Sequence, residues 1–447
     1  MKMNYEEAMN YISSVGRFGS NYGLKRTYRL LELLGEPQKK LKLIHVAGTN
    51  GKGSTTSMIT SILIGMGYKV GMYTSPFLEE FEERIQINGE NIPKNKLTEL
   101  INTVKKAVDK VIEEGYEHPT EFEILTTAMY LYYYNEKVDY AVIEVGLGGE
   151  LDSTNVITPI VSVITSISFD HMNILGNSLY EIAMQKAGII KEEIPVVVYP
   201  QTNEAMRAII EKAKITNSKV CEINSNSGTF IEVKHEEKFY QKVKIDTGKE
   251  LYNANLPLMG EHQILNLSVA LTTIEILCER EGLILNKKLI ENSIESVKWK
   301  GRLEVLNKEP LIVMDGAHNI EGIKMLKSNV KKYFKYNNVF LLLGILADKQ
   351  VEEMIKEITP MAYKVYVLTP HSDRAELNTE LKDHILKYNK NTIALDSYED
   401  AMKTVLSEAT SEDLILISGS LYMIGDMRKI ITQKNNDIAL SYLFFCI

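Results

Sequence analysis

The stretch IHVAGTNGKGSTTSMITSIL, residues 44–63, decides how the N-terminal part of this chain folds. An apolar run leads into GTNGKG, and a helical pattern starts near Ser54. Glycines at positions such as 48 and 51 allow backbone conformations that turn successive N–H groups toward an anion, and a new helix adds the positive end of its dipole. The stretch therefore predicts a strand, a phosphate-binding loop and a helix.

Within this loop, Lys52 is expected to contact the β- and γ-phosphates of a nucleotide, and a hydroxyl of Ser54 or Thr55 to reach the nucleotide-bound Mg²⁺. The spacing departs from the usual P-loop, because Val46 stands where a glycine is expected and Gly53 follows the lysine. An ordinary glycine turn with a solvated lysine is the alternative. The order of strand, loop, lysine, hydroxyls and helix favours binding of nucleotide phosphates. The predicted nucleotide-binding residues of the loop are Gly48, Thr49, Asn50, Gly51, Lys52, Gly53, Ser54 and Thr55.

Short apolar runs alternate with helical patterns along the rest of the chain, which is typical of an α/β fold with a mostly parallel sheet. Buried strands are expected at residues 43–47, 69–74, 140–145, 160–166 and 195–199. A second series is expected at 311–314, 339–343, 364–368, 392–395 and 414–418. We predict a P-loop-type mononucleotide-binding domain over 1–297, with a small antiparallel insertion within 216–256, and a smaller Rossmann-like α/β domain over 298–447.

The 447 residues have the composition of an ordinary globular protein, with 45% hydrophobic and 25% charged residues. The net charge of −8 argues against a nucleic-acid partner. Three scattered cysteines without CxxC spacing predict neither disulfides nor zinc, which favours a reducing cytoplasm. No apolar run is long enough for a membrane span. The apolar C-terminal run LSYLFFCI is expected to be a docked strand, with a membrane anchor as the alternative.

Motifs along nearly the whole chain resemble the folylpolyglutamate and dihydrofolate synthases of the Mur ligase superfamily. They include GTNGKGS, YTSPFLEEFEERIQING, VIEVGLGGELDSTNVI, SISFDHMNILG, IAMQKAGIIK, GEHQILNLSVA, KGRLEV, DGAHN and SGSLYMIGDMR. Only 51 residues precede Lys52, which leaves no room for the extra N-terminal domain of the UDP-sugar-binding branch. The resemblance implies a ligase of the folate pathway and one-carbon metabolism.

Two candidate metal ligands follow apolar strands. Glu144 ends YAVIEV and His171 follows VSVITSISFD, so both are expected at the carboxyl edge of one sheet, where α/β proteins bind ligands. A lone histidine is an unusual magnesium ligand, and the alternative is that His171 is a structural residue that forms hydrogen bonds. The resemblance implies that Ser75, Glu144 and His171 hold Mg²⁺, together with the hydroxyl of Ser54.

Lys186 falls on an apolar helical stripe with Ile182 and Ile189, where a buried ammonium is costly. A surface lysine extending toward water is the alternative. The resemblance implies a carbamylated Lys186 whose added carboxylate helps to hold magnesium.

The resemblance also implies further nucleotide-binding positions, namely Asn266, Arg302 and Asp315. Domain closure is expected to bring Arg302 against the triphosphate. The residues expected to serve catalysis are Lys52, His171, Arg302 and His318, the last as a candidate base. From the residues alone, the alternatives are that Asn266 is an ordinary helix residue, that Arg302 forms a surface ion pair and that Asp315 and His318 belong to a turn.

For the pterin-containing substrate the resemblance points to three segments. They comprise Tyr22, Gly23 and Leu24; Thr120, Glu121, Phe122 and Glu123; and Leu151, Asp152 and Ser153. Phe122 could stack on a flat heterocycle or cover the core. The chain departs from many relatives at Glu150, where arginine is frequent, at Phe77, where histidine is common, and at Lys300, which replaces a frequent proline.

The implied reaction has two steps: ATP phosphorylates a substrate carboxylate, and the amine of L-glutamate then displaces phosphate, with ADP as the other product. The acceptor is a folate, dihydropteroate or both, and we expect a monomer. Two other functions remain open: another P-loop enzyme such as a small-molecule kinase, or a nucleotide-binding protein without turnover.

Overall fold

A computed structural model describes residues 2–15, 23–235 and 239–445, and Tyr22 lies outside this part of the chain. The chain forms two compact units. The first comprises residues 1–231, 242–256 and 263–297, and the second comprises 232–241, 257–262 and 298–447. Each unit is built around its own parallel sheet, which confirms the predicted α/β class.

The first unit contains an eight-stranded sheet in the order β4-β3-β2-β5-β1-β6-β7-β8. Neighbouring strands from β2 to β8 are parallel, and β3 and β4 add antiparallel strands at one edge. The strand that precedes the glycine loop is thus central in the sheet. The strands are β1 (Leu43–Ala47), β2 (Val70–Tyr73), β3 (Ile85–Ile87), β4 (Glu90–Asn91), β5 (Tyr140–Glu144), β6 (Val161–Ile164), β7 (Val196–Val198) and β8 (Val220–Glu222).

Helices cover this sheet because its central strands are apolar on both faces, with every residue of β1, β5 and β6 buried. The helices are α1 (Tyr5–Val15), α2 (Lys25–Leu33), α3 (Lys52–Gly65), α4 (Lys94–Glu113), α5 (Glu121–Asn135), α6 (Met172–Leu175), α7 (Leu179–Ala187), α8 (Asn203–Ile215), α9 (Glu261–Glu281) and α10 (Lys287–Ile294).

A separate three-stranded sheet lies in the region where the insertion was predicted. It has the order β11-β10-β9 and consists of β9 (Gly228–His235), β10 (Phe239–Asp246) and β11 (Leu251–Leu256). Alternation of buried and exposed positions along β11 gives it one apolar face, as expected for a strand that is covered on one side only.

The second unit holds a six-stranded sheet in the order β12-β13-β17-β14-β15-β16, in which only the β12–β13 pair is antiparallel. Its strands are β12 (Glu304–Lys308), β13 (Leu311–Asp315), β14 (Val339–Leu343), β15 (Lys364–Val367), β16 (Thr392–Ala394) and β17 (Leu414–Ser418). Its helices are α11 (Ile320–Tyr333), α12 (Val351–Ile358), α13 (Asn378–Ile385), α14 (Tyr398–Glu408) and α15 (Leu421–Phe445).

All ten strands predicted from apolar runs are present, with shifts of at most a few residues at their ends. The expectation for the C-terminal run was wrong, since α15 continues through it as far as Phe445. No glycine or proline follows Gly425 in this segment, so nothing in the local sequence ends the helix before the apolar run. None of the described helices is long and apolar enough to cross a membrane.

A buried ion pair joins α2 to the start of α5. The Arg26 Nε atom lies 3.0 and 3.1 Å from the two carboxylate oxygens of Glu123, and both side chains are buried. The same carboxylate accepts a hydrogen bond from the Thr120 backbone N–H, while the Thr120 hydroxyl accepts from the Glu123 N–H. This reciprocal capping box starts α5, so Glu123 fixes both the helix terminus and the neighbouring helix.

We expect Glu123→Gln to lower the free energy of unfolding by about 3–5 kcal/mol, because the Arg26 guanidinium loses its buried countercharge and is left with the exposed carboxylate of Glu117, 3.4 Å away. Lys105→Gln is the matched control, since it breaks an exposed i,i+4 pair with Asp109 and should cost about 0.5 kcal/mol or less. Urea unfolding of both variants measures the difference. Equal losses in the two variants would contradict the assigned role of the buried pair.

Candidate functional site

The glycine loop connects β1 to α3 and requires glycine at two positions. Gly48 has φ 150° and Gly51, the residue before α3, has φ 88°. A Cβ atom at position 48 would lie 1.8 Å from Thr165 Oγ1, and one at position 51 would lie 2.7 Å from Asn266 Oδ1. The loop backbone is therefore packed directly against β6 and α9, and larger residues do not fit.

Residues that follow β6 hold this loop in place. The Thr49 N–H donates to the Ser166 carbonyl oxygen over 2.7 Å, and the Thr49 hydroxyl donates to the Ser168 carbonyl oxygen over 3.1 Å. Ser166 Oγ in turn donates to the Asn50 carbonyl oxygen over 3.2 Å. The sequence analysis did not single out these serines, although both lie in the motif SISFDH.

The polar groups at the start of α3 differ in what they contact. Lys52 Nζ lies 3.2 Å from each of the carbonyl oxygens of Gly48 and Thr49. Ser54 Oγ accepts a hydrogen bond from Gln263 Nε2 over 3.2 Å. The Thr55 hydroxyl is buried and has no hydrogen-bond partner among the described residues. A buried unsatisfied hydroxyl beside a phosphate loop fits a site for phosphate or its cation.

Gln263 and Asn266 form a polar row on α9 beside the loop. Asn266 Nδ2 donates to Gln263 Oε1 over 3.0 Å, and both side chains are buried. The row places an amide directly against Gly51. Asn266 was predicted from the resemblance, whereas Gln263 was missed, although it lies three residues earlier in the same motif, on the same face of the helix.

Ser75 and Glu144 lie together at the carboxyl edge of the first sheet. Ser75 follows β2 and Glu144 is the last residue of β5, and these two strands are parallel neighbours. The Ser75 N–H donates to Glu144 Oε2 over 3.3 Å, and Glu144 is only 4% exposed. A carboxylate at this depth calls for compensation by donors or a cation. The structure thus brings two of the predicted magnesium ligands together.

His171 lies at the N-terminus of α6 with φ 50°, and its Nε2 atom is 3.9 Å from Asp170 Oδ1. Asp170 was not predicted, although it adjoins His171 in the same motif. Among the residues that the structure describes, no group of three or more His, Cys, Asp or Glu side chains is arranged to hold a metal ion. Any metal at this edge therefore needs hydroxyl, phosphate or water oxygens as further ligands.

Lys186 on α7 is buried, with 4% exposure, so the surface alternative does not apply. Its Nζ atom donates to the Gly48 carbonyl oxygen over 2.7 Å, which ties α7 to the glycine loop. Burial, and secondarily the positive charge of Lys52, lower the pKa of the Lys186 ammonium to about 7, while Asp170 and Asp152 oppose the shift. A substantial fraction of this amine is therefore neutral near pH 7.

The segments predicted to bind the acceptor differ in exposure. Phe122 packs beside Gly146, where a Cβ atom would lie 2.5 Å from the ring, and beside the Tyr73 ring at 5.9 Å. Glu121 Oε1 lies 3.8 Å from Arg84 Nη2. Leu151 is 49% exposed, whereas Asp152 is 6% exposed and Ser153 is also buried. Gly23 and Leu24 precede α2, with Leu24 packed against the core of the first unit.

In the second unit, three predicted residues surround the turn after β13. Asp315 is buried, and its two oxygens accept from the N–H groups of Leu303 and Ala317 over 2.8 and 2.9 Å. Burial raises the pKa of Asp315, which Arg302 partly counteracts. His318 Nδ1 lies 2.8 Å from the Gly316 carbonyl oxygen, and a Cβ atom on Gly316 would lie 2.2 Å from Arg302 Nη1. The turn therefore gathers a cation, a carboxylate and an imidazole.

We expect Lys186→Met to stabilise the protein at pH 6.5 in bicarbonate-free buffer. In the wild type, Lys186 is deprotonated in the folded state above about pH 7 but keeps its proton in the unfolded state up to about pH 10.5. Wild-type stability therefore rises with pH between these two values. The advantage of the methionine variant should shrink by about 2–3 kcal/mol between pH 6.5 and 9. Urea unfolding at both pH values tests this, with Lys214→Met, at an exposed position of α8, as the control. A pH-independent difference would contradict the prediction.

Comparison with known proteins identifies the family. The Mur ligase middle domain matches residues 46–274, and the Mur ligase glutamate ligase domain matches residues 301–421. A dihydrofolate synthase/folylpolyglutamate synthase of Bacillus subtilis is 37% identical over 95% of this chain and 98% of that protein. A folylpolyglutamate synthase of Lacticaseibacillus casei is 35% identical over 96% and 98%.

Solved structures agree with these matches. The apo form of L. casei folylpolyglutamate synthase has a TM-score of 0.84 at 33% identity, covering 96% of this chain and 100% of that one. A complex of folylpolyglutamate synthase with AMPPCP and folate gives a TM-score of 0.84 at 34% identity and the same coverage. Since sequence and structure agree over nearly the whole length, the chain belongs to the folylpolyglutamate synthase/dihydrofolate synthase family of Mur ligases.

Proposed function

We propose that this chain is an ATP-dependent acid–amino-acid ligase that adds L-glutamate to a folate, and also to dihydropteroate. The observation that carries the proposal is the arrangement at the carboxyl edge of the first sheet, where the glycine loop with Lys52 follows one strand and the Ser75–Glu144 pair follows two others. Phosphate loops and acidic strand ends at one edge suit phosphoryl transfer.

The names of related structures support ATP and folate as substrates. One solved folylpolyglutamate synthase is a complex with AMPPCP, an ATP analogue, and another is a complex with AMPPCP and folate. Relatives named dihydrofolate synthase, including a yeast protein 32% identical over 91% of this chain, support dihydropteroate as an additional acceptor.

The chemistry follows from the poor electrophilicity of a carboxylate. The acceptor carboxylate attacks the γ-phosphorus of ATP, the bond to the ADP oxygen breaks, and an acyl phosphate forms. The amine of L-glutamate then attacks the acyl carbon and expels phosphate, leaving an amide. Lys52 counters the charge on the transferring phosphoryl oxygens, and the N–H groups at the start of α3 hold the phosphates in line, so that the enzyme acts by positioning and electrostatics.

Magnesium fits the donor set at this edge, because Glu144 and Ser75 supply hard oxygens and the Thr55 hydroxyl is buried without a partner among the described residues. When bound with the nucleotide, Mg²⁺ would neutralise phosphate charge. We propose His171 and Ser54 as additional ligands. A carbamylated Lys186 is a further one, supported by the neutral fraction of its amine near pH 7.

Arg302, Asp315 and Asn266 are proposed to bind ATP, and His318 to take the proton of the incoming ammonium. The Gly316 carbonyl can only accept a hydrogen bond, so Nδ1 of His318 carries the proton in the neutral ring. Its Nε2 atom then has the lone pair that a base requires.

For the acceptor, we propose the segments at Gly23–Leu24, Thr120–Glu123 and Leu151–Ser153. Phe122 packs at the end of the strand that bears Glu144, since its ring covers Gly146. This places an aromatic side chain close to the proposed metal ligands. Tyr22, which completes the first segment, lies outside the described residues.

We also propose a monomer in a reducing cytoplasm. Cys221 and Cys278 are free thiols, and burial raises the pKa of both. Unreactive free thiols suit a reducing compartment. Light scattering during size-exclusion chromatography measures the oligomeric state.

The deciding experiment incubates the purified protein with ATP, Mg²⁺, L-glutamate and either tetrahydrofolate or dihydropteroate. We expect glutamate-dependent ADP release and a product heavier by one glutamyl residue. Lys52→Met should lower kcat by about 100-fold or more, while Lys39→Met, at an exposed position, should not change it. A phosphorylated product without glutamate would instead identify a kinase, and no phosphate release a protein without turnover.

We expect Glu144→Gln to raise the Mg²⁺ concentration needed for half-maximal activity by at least about tenfold, because the amide carries no charge to attract the cation. The measurement is a Mg²⁺ titration of ADP release at saturating ATP. Glu90→Gln, at an exposed edge-strand position, is the control. An unchanged Mg²⁺ requirement in the Glu144 variant would exclude Glu144 as a ligand.

A further inference from the structure

A buried polar chain runs beneath the glycine loop, from the middle of β1 to the Leu151–Ser153 segment. His45 lies in β1, is fully buried and pairs in register with Ile143 on β5 and Ser162 on β6. Its Nε2 atom lies 2.8 Å from Thr154 Oγ1, and Thr154 Oγ1 lies 2.5 Å from Asp152 Oδ1. A polar chain in the centre of an apolar sheet is costly unless every link is satisfied.

Asp152 is the end of this chain and is already fully engaged by the protein. Its Oδ1 atom also accepts from the Thr154 N–H over 3.0 Å, and its Oδ2 atom accepts from the Leu147 N–H over 2.8 Å. Leu147 lies in the loop that follows Glu144, the strand-end carboxylate. One buried carboxylate therefore ties the loop after β5 to the Leu151–Ser153 segment.

The directions of the hydrogen bonds follow from the donors available. Burial raises the pKa of Asp152, while hydrogen bonds from the Thr154 hydroxyl and from backbone N–H groups lower it. Because each carboxylate oxygen of Asp152 accepts from a backbone N–H, the Thr154 hydroxyl donates its single proton to Asp152. The Thr154 oxygen must then accept from His45, which places the His45 proton on Nε2. Burial, and secondarily Lys191, lower the pKa of His45 to about 3, so the ring is neutral near pH 7. Its Nδ1 atom is buried and has no hydrogen-bond partner among the described residues.

We infer that His45, Thr154 and Asp152 form a positioning chain that fixes the Leu147–Ser153 loop for binding of the acceptor substrate. This rests on the proposed function, which assigns the acceptor to that loop. The chain acts through the loop backbone: it begins on the strand that carries the phosphate loop and ends on the segment where Leu151 is exposed. None of its three members needs to contact the substrate.

An additional hydrogen bond supports the same inference. The Tyr130 hydroxyl donates to the Thr154 carbonyl oxygen over 2.9 Å, and Tyr130 is fully buried on α5. Thr154 is thus held at its carbonyl by α5 and at its hydroxyl by β1. Because the backbone of Thr154 is anchored separately, loss of its hydroxyl should displace the loop without unfolding the domain.

The test compares Thr154→Val, which keeps the shape but removes the hydroxyl, with Thr154→Ser, which keeps the hydroxyl. We expect Thr154→Val, which removes both hydrogen bonds of the hydroxyl, to raise the KM for the acceptor about tenfold, with the KM for ATP changed less than twofold. Thr154→Ser should stay within about threefold of wild type. Thr273→Val, a buried threonine on α9, controls for a general loss of packing.

His45 provides the second arm. His45→Leu should reproduce the Thr154→Val effect, whereas His45→Gln, which retains an N–H donor near the Nε2 position, should restore most of it. Since both residues act in one chain, the His45→Leu/Thr154→Val double variant should show no more than the larger single effect. Additive effects, an acceptor KM within twofold of wild type in Thr154→Val, or an equal rise in Thr273→Val would overturn the inference.

A readout that does not depend on turnover separates this inference from the proposed function. Hydrogen exchange of peptides covering residues 147–155 should be faster in Thr154→Val than in wild type and unchanged in Thr154→Ser. Nitrogen NMR of the histidine rings should show His45 as the Nε2–H tautomer. If the wild type shows no glutamate-dependent ADP release, the proposed function fails, but the exchange and NMR measurements still test whether the hydrogen-bonded chain holds the loop. If exchange is equal in Thr154→Val and wild type, only the inference about this chain fails.

Discussion

The carbonyl oxygen of Gly48 is the point on which the phosphate loop depends. Two lysine side chains donate to it, Lys52 from the first turn of α3 and Lys186 from α7. Position 48 tolerates no side chain because Thr165 fills the space where a Cβ atom would stand. The loop backbone is therefore tightly packed, and its carbonyl oxygens hold both lysine side chains beside it.

Several ionisable side chains of the first unit are buried, which is unfavourable, and the structure compensates for their burial in two ways. Glu123 is neutralised by Arg26 and by a helix N-terminus, which makes it a structural anchor. Glu144 and Lys186 lie instead where we propose that ligands bind; there Glu144 accepts from the Ser75 backbone N–H and Lys186 donates to the Gly48 carbonyl oxygen. Glu144 and Lys186 are therefore groups whose charge a ligand, a metal ion or a covalent modification can balance.

The segments proposed to bind the acceptor also contain two kinds of residue, exposed ones that can contact a substrate and buried ones that hold the backbone. The resemblance assigned Leu151, Asp152 and Ser153 together, yet their exposure differs widely, since Leu151 is exposed and Asp152 is buried with both oxygens engaged. If these segments bind the acceptor as we propose, Leu151 can contact the substrate, whereas Asp152 acts only by holding the backbone of the segment in place.

The sequence by itself determined the succession of strands along the chain, the α/β class and the glycine loop, because these depend on local periodicity and on residues a few positions apart. It also carried the family's motifs, through which Ser75 and Asn266 were predicted as site residues. It misjudged the C-terminal run, since that run was interpreted without the helix leading into it. Only the tertiary structure revealed the Lys186–Gly48 contact, the Gln263 amide beside Ser54 and the His45–Thr154 link that leads to Asp152. The two partners in each of these contacts are separated by more than a hundred residues in the sequence, and only the pairing of the strands and the packing of helices on the sheet bring them within hydrogen-bond distance.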